Sequence, residues 1–504
     1  MTFNHKIILK IKDWLLIVIF EIDKVYKIQI MDIKLLSNFK EVDKGIWELS
    51  RGFRAGMRVP LRIVATREIL EALDDGAVEQ GINVSKLPGI VNASFMMPDA
   101  HWGYGFPIGG VAAFDMKDGV ISPGGIGFDI NCGMRLIATN LSYKEVFPKI
   151  KDIVDELFEF VPAGLGGESK LNLTKKDFLE ILRRGAEWAV ELGLGEPEDL
   201  NKIEDNGCLK EAEAEFVSKK AIERGINQIG TLGSGNHYLE VQRVENIFDK
   251  NLAERMSIFQ KDQIVIMVHC GSRGFGHQIA TDYINLFGAR MKKYGISVDD
   301  KQLACVPVDS EDGRRYFSAM NCAANSAFCN RQIITHQIRQ VFSRIFSKSS
   351  KDLGMNLVYD VAHNIAKVEE HQIEGKGLKN KMMIHRKGAT RSFINQPVII
   401  GGSMETGSYL LVGTENAMRK TFASTAHGSG RVMSRIRAKK EIRGSDLQKK
   451  LQEKGIYIKT ASYSGLAEEA GFAYKNIDDV VMALSNANIS QPVASFKPIG
   501  NIKG

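Results

Sequence analysis

The chain has 504 residues, 44% of them hydrophobic and 25% charged, with 67 Lys and Arg against 60 Asp and Glu for a formal net charge of +7. Such totals support a large buried core and an ordinary globular surface, and the slight basic surplus suits an anionic partner without demanding one. Six scattered cysteines with no CxxC pair argue against a disulfide scaffold and for a reducing cytoplasm, and no apolar run reaches the roughly 18 to 20 residues of a membrane span.

The N-terminus carries the short apolar run Trp14-Leu15-Leu16-Ile17-Val18-Ile19-Phe20 after Lys6, Lys10 and Lys12. It is too short for a membrane helix and lacks a small-residue cleavage site. Met31-Asp32-Ile33-Lys34 reads as a natural start, so residues 1–30 are expected to be an upstream extension. Beyond them no internal repeat and no Pro/Ser-rich linker divides the chain. Residues 31–504 are therefore expected to form one large mixed α/β domain, with a two-domain split near residue 140 as the alternative.

Glycine clusters near 103–133, 225–235, 271–276, 401–413 and 428–430, each beside a run rich in Val, Ile or Leu. Ile264-Val265-Ile266-Met267-Val268 ends at His269, and Val398-Ile399-Ile400 ends at Gly401-Gly402. These patterns predict buried strands that feed tight loops around a site. Helices are predicted between them, at 174–195 and at 319–346, the latter from the spacing of Ala323, Ala327, Ile334, Ile338, Val341 and Ile345. The acidic segment 196–220 is expected to be exposed.

Five candidate metal ligands appear in chain order. Asp129 and Cys132 lie in Gly127-Phe128-Asp129-Ile130-Asn131-Cys132-Gly133, a loop after Pro123-Gly124-Gly125. Alone, such a pair reads as a turn former and a small core residue. His237 follows Gly233-Ser234-Gly235-Asn236, His269 ends a strand, and His363 follows Leu357-Val358-Tyr359 in Asp360-Val361-Ala362-His363-Asn364. A lone histidine is more often structural, but four sites beside glycine or asparagine point to ligation. One Cys, one Asp and three His exceed a single tetrahedral site, and two metals bridged by a thiolate would use all five. The donor set does not by itself choose manganese over zinc.

Residues 385–437 form the second block, with Gly401-Gly402-Ser403-Met404-Glu405-Thr406-Gly407-Ser408 and Ser424-Thr425-Ala426-His427-Gly428-Ser429-Gly430-Arg431. Small hydroxyls, glycine amides and arginines suit phosphate oxygens. His427, among small residues, is a competent covalent nucleophile toward phosphorus. There is no Walker A sequence, so a nucleotide site here is not a P-loop.

Together these motifs resemble the RtcB family of RNA ligases from about residue 32 to Gly504. The resemblance implies the family's own α/β fold around a central dinuclear site. It implies a GTP-dependent enzyme that joins an RNA 3′-phosphate or 2′,3′-cyclic phosphate to a 5′-hydroxyl, through a guanylated histidine and an RNA-ppG end, in tRNA splicing and RNA repair. Carried over by position, Cys132 corresponds to a thiolate shared by two Mn²⁺ ions, with Asp129 and His237 on one ion and His269 and His363 on the other. His427 corresponds to the guanylated residue. Asn236, Glu240, Asn364, Ser403, Ser408, Gly428, Ser429, Gly430 and Lys503 fall where the family holds GTP. Asp99, in Met97-Pro98-Asp99-Ala100-His101, is assigned with the catalytic groups, and Arg224, Arg273, Arg431 and Arg435 with RNA phosphates. The family often uses an archease activator; a cytoplasmic monomer that touches RNA and no membrane is expected. Glu405 departs from a usual glycine, Ala426 and Ser429 flank His427 where Cys and Ala are commoner, and Cys270 replaces a small polar residue. The rival readings are a metal-dependent phosphodiesterase and a non-catalytic RNA-binding protein.

Overall fold

The computed structural model describes residues 31–373 and 379–504; the expected extension, residues 1–30, lies outside them. The architecture is mixed α/β, as the sequence predicts, and two large sheets carry it. The first has the strand order Phe39–Asp43, Ile46–Leu49, Leu61–Val64, Ile90–His101, Ile108–Asp115, Lys379–Lys387, Asn364–Gln372. The second runs Asn356–Ala362, Gly133–Ser142, Gln263–Cys270, Tyr238–Ile247, Ser490–Lys503, Ser408–Gly413, Pro397–Gly401, with Tyr457–Thr460 added in parallel to Ser490–Lys503. No helix among the described residues is long and apolar enough to cross a membrane.

The predicted strands at 264–268 and 398–400 are Gln263–Cys270 and Pro397–Gly401. Gln263–Cys270 is buried on both faces. Successive side chains point oppositely along a strand, so Ile264, Ile266 and Val268 pack into one core and Val265 and Met267 into another. A strand covered on both sides reads as an unbroken apolar run, and the sequence shows that here.

Two predicted helices differ from the structure. The long helix is Glu311–Phe346, so it starts ahead of 319. Its first turns, Glu311-Asp312-Gly313-Arg314-Arg315, lack apolar periodicity; the Ser310 hydroxyl caps them by accepting from the Gly313 amide at 3.0 Å. The span 174–195 divides into Lys175–Arg184 and Ala186–Glu191 at Gly185, whose φ of 57° and ψ of −133° no L-residue adopts easily. A Cβ there would also stand 2.1 Å from the Gly207 carbonyl oxygen. Gly185→Ala is expected to lower stability by roughly 2 kcal/mol or more, read as an earlier midpoint in denaturant unfolding. An unchanged midpoint would refute the close approach.

The acidic segment 196–220 corrects an expectation. Glu211, Glu213 and Glu215 are exposed, but Asp199 and Glu204 are buried. Asp199 accepts two bonds from Arg339, at 2.6 and 2.8 Å, and Glu204 pairs with Lys367 at 2.5 Å and Arg391 at 3.2 Å. The segment lies over the long helix and the strand Asn364–Gln372 because their buried cations need anions, and an unpaired buried charge is far costlier than a paired one.

Candidate active site

Four of the five predicted ligands stand at one end of four adjacent strands in the second sheet. Gly133, the first residue of its strand, pairs with Ala362 on one side and Cys270 on the other; Tyr238 pairs with His269. Cys132 and His237 therefore immediately precede their strands, His269 is the next-to-last residue of its own, and His363 immediately follows Ala362. Across the sheet edge the order is His363, Cys132, His269, His237. Asp129 reaches the same place from the loop before Cys132, held by the Arg273 amide at 3.1 Å and the Ser272 hydroxyl at 3.3 Å.

The donor atoms form two trios that share the Cys132 sulfur: Asp129, Cys132 and His237; and Cys132, His269 and His363. Cys132 Sγ lies 3.3 Å from His237 Nε2 and 3.2 Å from His269 Nε2. Asp129 Oδ2 is 2.7 Å from His237 Nε2, and the Nε2 atoms of His269 and His363 face each other at 3.2 Å.

Burial pushes the Cys132 thiol up to about 12, with the Asp129 carboxylate adding to the effect. Burial also holds His269 and His363 well below the ordinary imidazole range, helped by His237 for the first and His427 for the second. His237 moves the other way: burial opposes its charge, but Cys132, Cys270 and Asp129 raise it well above that range. Burial opposes ionisation of Asp129 too, yet His237 and Arg273 lower it.

The set fits a pair of cations. Two neutral imidazoles facing nitrogen to nitrogen can share a single proton, whereas cations would accept the lone pair of each ring and would turn the shared thiol into a thiolate. Three protein donors per ion also leave coordination positions open, which is the arrangement of a catalytic rather than a structural site. His237 Nδ1 is directed at the Leu232 carbonyl at 3.0 Å, which fixes its ring and turns Nε2 toward the centre.

His427 sits on the rim. Its ring centroid is 4.6 Å from that of His363, and its side chain is 14% exposed. The short strand Ser424–Ala426, paired with Ala389–Arg391, delivers it. Asp99 comes from the first sheet, at the end of Ile90–His101 where pairing with Ile108–Asp115 is interrupted. Its Oδ2 accepts from the amides of His427 and Gly428, at 3.1 and 3.2 Å, and lies 2.7 Å from His427 Nδ1. That bond assigns the Nδ1–H tautomer and leaves the lone pair on Nε2. Gly430, with φ of 73°, lets the chain pass where a Cβ would be 2.0 Å from the Asp99 carbonyl oxygen.

Of the residues expected at a nucleotide, Glu240 and Lys503 are buried on the paired strands Tyr238–Ile247 and Ser490–Lys503. Burial pushes Glu240 up to about 7 although Gln242, Lys503 and Asn501 oppose it, and burial lowers Lys503 against the pull of Glu469 and Glu240. Ser403 bonds the Thr406 hydroxyl, and Ser408 bonds the Gln242 side chain. Ser429 Oγ and Asn501 Oδ1 are buried with no hydrogen-bond partner among the described residues, which a polar ligand would supply. Asn236 is half-buried beside His237. Asn364 is occupied otherwise: its amide donates to the Asp129 carbonyl at 3.1 Å and accepts from the Gly388 amide at 2.9 Å, bracing one loop on the other.

The arginines divide. Arg273 stands beside Asp129 and bonds the Thr231 hydroxyl, and Arg224 bonds the Gln278 side chain. Arg431 points its guanidinium at the Met433 and Glu468 carbonyls, Glu469 and Tyr474, while Arg435 is exposed and reaches Glu469 at 3.2 Å. Glu469 is the residue the sequence did not flag. It is buried among Arg431, Arg435 and Lys503, and nothing in Glu468-Glu469 distinguishes it from a solvated acidic pair. Glu405 is paired with Lys454, and buried Cys270 contacts the Thr231 and Leu232 carbonyls rather than joining either trio.

The family profile described as tRNA-splicing ligase RtcB matches residues 80–504. A protein named tRNA-splicing ligase RtcB from Archaeoglobus fulgidus is 51% identical over 478 residues, 92% of this chain and 98% of its own. One of the same name from Thermococcus kodakarensis is 48% identical over 479 residues, 92% and 98% of the two chains. The RNA-splicing ligase RtcB homolog 1 of Entamoeba histolytica is 45% identical over 483 residues, 90% and 91%.

Proposed function

The chain belongs to the tRNA-splicing ligase RtcB family, and from that premise we propose that it is an RNA ligase of tRNA splicing and repair, joining 3′-phosphate or 2′,3′-cyclic phosphate ends to 5′-hydroxyl ends with GTP. The observation that carries the chemistry is the Asp99–His427 pair set against the ring of His363. A histidine with its Nδ1–H committed to a carboxylate is a nucleophile at Nε2, and beside a cluster of metal donors its target is a phosphate.

In this reading His427 Nε2 attacks the α-phosphorus of GTP; the P–N bond forms as the P–O bond to pyrophosphate breaks. Asp99 balances the positive charge that develops on the ring and keeps Nε2 aimed. An oxygen of the RNA 3′-phosphate then displaces His427 from phosphorus, regenerating the imidazole and leaving the RNA end as a diphosphate with guanosine. The 5′-hydroxyl attacks the RNA phosphorus, loses its proton and expels GMP. A cyclic phosphate end is first opened by water to the 3′-phosphate. When bound, two Mn²⁺ ions would neutralise phosphate charge and polarise the P–O bonds, held by Asp129, Cys132 and His237 and by Cys132, His269 and His363. Glu240 and Lys503 at the base, and Ser403, Ser408, the Ser429 hydroxyl and the Gly430 amide along the phosphates, make up the nucleotide cradle. Arg224, Arg273 and Arg435 offer cations to RNA phosphates.

The groups assigned these roles run from Asp99 to Lys503 and come from both sheets, which supports one catalytic domain over 31–504. Six buried, unpaired cysteines fit a cytoplasmic protein. The test is purified protein with Mn²⁺, GTP and a nicked RNA bearing 3′-phosphate and 5′-hydroxyl ends. GTP-dependent joining supports the proposal; hydrolysis of a cyclic end with no use of GTP would replace it with a phosphodiesterase. Asp99→Asn is expected to slow joining by about 10² to 10⁴-fold, because an amide can donate to Nδ1 and favours the wrong tautomer. Bound metal, measured by atomic emission, stays at the wild-type level.

A further inference from the structure

The helix Glu311–Phe346 runs beneath the sheet end that carries the metal donors, and two adjacent residues on it reach the chain beside three of those ligands and the loop that orients the fourth. Arg331 is fully buried and all five of its N–H donors are used. Nη1 donates to the carbonyls of Asn131 and Cys270, both at 2.8 Å. Nη2 donates to Asn131 Oδ1 at 3.2 Å and Asp360 Oδ1 at 2.8 Å, and Nε to Asp360 Oδ2 at 2.7 Å. Asn131 precedes Cys132, Cys270 follows His269, and Asp360 lies in the strand that His363 immediately follows.

Asn330 holds the remaining segment. Its Oδ1 accepts from the Gly230 and Thr231 amides at 2.7 and 3.1 Å, and its Nδ2 donates to the Thr231 and Gly271 carbonyls at 3.1 and 3.2 Å. The neighbouring Leu232 carbonyl is the one that orients His237.

We propose that Asn330 and Arg331 are positioning residues for the metal centre: they fix the spacing of the strand ends that bear Cys132, His237, His269 and His363, and so set its affinity and geometry. The proposal rests on the reading of those four residues as ligands. A role in stability alone does not account for the pattern. Asp360 already has a second buried cation in Arg135, at 2.6 Å, and a buried ion pair is a weak source of stability. The Arg331 contacts beyond Asp360 go to the Asn131 and Cys270 carbonyls and to the Asn131 side chain, all beside the ligands.

Arg339, on the same helix, is the control. It is buried and paired in bidentate fashion with Asp199, and its other contacts are the Met355 carbonyl and Glu196, neither of which adjoins a ligand. The experiment titrates Co²⁺ into wild-type, Arg331→Lys, Arg339→Lys and Asn330→Ala proteins, reading the thiolate-to-cobalt band and the visible d–d bands, with thermal midpoints measured in parallel. Lysine supplies three donors from a point charge and cannot replace the fork. Arg331→Lys is expected to weaken Co²⁺ binding by about 10- to 100-fold and to shift the d–d bands. Arg339→Lys lowers the midpoint comparably yet leaves affinity within about twofold. Wild-type affinity and spectrum in Arg331→Lys, or equal loss in Arg339→Lys, would overturn the proposal. If Arg331→Lys does not fold, Asn330→Ala decides: weaker binding supports the proposal and unchanged binding removes it. A wild-type protein without the thiolate band would instead defeat the ligand reading.

Discussion

A His427→Ala protein incubated with Mn²⁺ and α-³²P-GTP is expected to take up no label, and its end-joining rate is expected to fall at least about 10⁴-fold. The wild-type protein is expected to acquire a label that acid removes and alkali does not, the behaviour of a phosphorus–nitrogen bond. The size of the effect follows from what stands near His427. The other histidines at the centre, His237, His269 and His363, have their Nε2 atoms directed at the cysteine, the aspartate or one another, so none is free to take over attack on phosphorus. The change also leaves both trios intact, so two metals still bind. Label retained in His427→Ala would move the nucleophile elsewhere. Metal lost along with it would mean that His427 is a ligand rather than the attacking group.

Cys132→Ala is expected to do the opposite: remove the metals and, through them, activity. The Cys132 sulfur is the one atom common to both trios, so its loss leaves two donors at each position. Removing His237 or His363 damages one trio and leaves the other complete. Metal content at micromolar Mn²⁺ should fall from two per chain to near zero in Cys132→Ala, and to about one in His363→Ala. Joining falls below detection in Cys132→Ala. The fold is expected to survive, since trimming a buried cysteine to alanine leaves only a small cavity. Two metals bound with unchanged affinity in Cys132→Ala would sink the shared-thiolate arrangement.

The sequence made the donors legible because each stands at a break between two kinds of pattern. His269 and His363 end apolar runs, and Cys132 and His237 sit in glycine- or asparagine-bearing loops just before strands; a polar, ligating side chain in such a place has no packing role to explain it. What periodicity could not show was the partner side of each contact. Asp199 and Glu204 look like a solvated acidic stretch, because nothing in their own segment says that Arg339 and Lys367 lie buried opposite. Glu469 was missed for the same reason. Gly185 interrupts a helical pattern whose apolar positions continue on both sides, and only the Gly207 backbone lying against it explains the break. For Arg331 a signal was present: Asn325, Asn330, Arg331 and Gln332 are polar residues set among the apolar positions of the helix, and most such buried groups have hydrogen-bond partners.

The order of the ligands along the sheet edge is not their order along the chain. Residue 363 sits beside 132, and 269 lies between 132 and 237, so the neighbours that must meet are separated by 231 and 137 positions in the first two cases and 32 in the last. Contacts of such long separation form late, because closing large loops must precede any gain from the pairing. A chain emerging from synthesis therefore has no pocket that can trap a metal until the segment ending at His363 has come back to pair beside Cys132. On the proposed reading, metal uptake in this fold would be a finishing event: an ion bound at both positions would mark a sheet already assembled, and a half-built chain would present only scattered, weak donors.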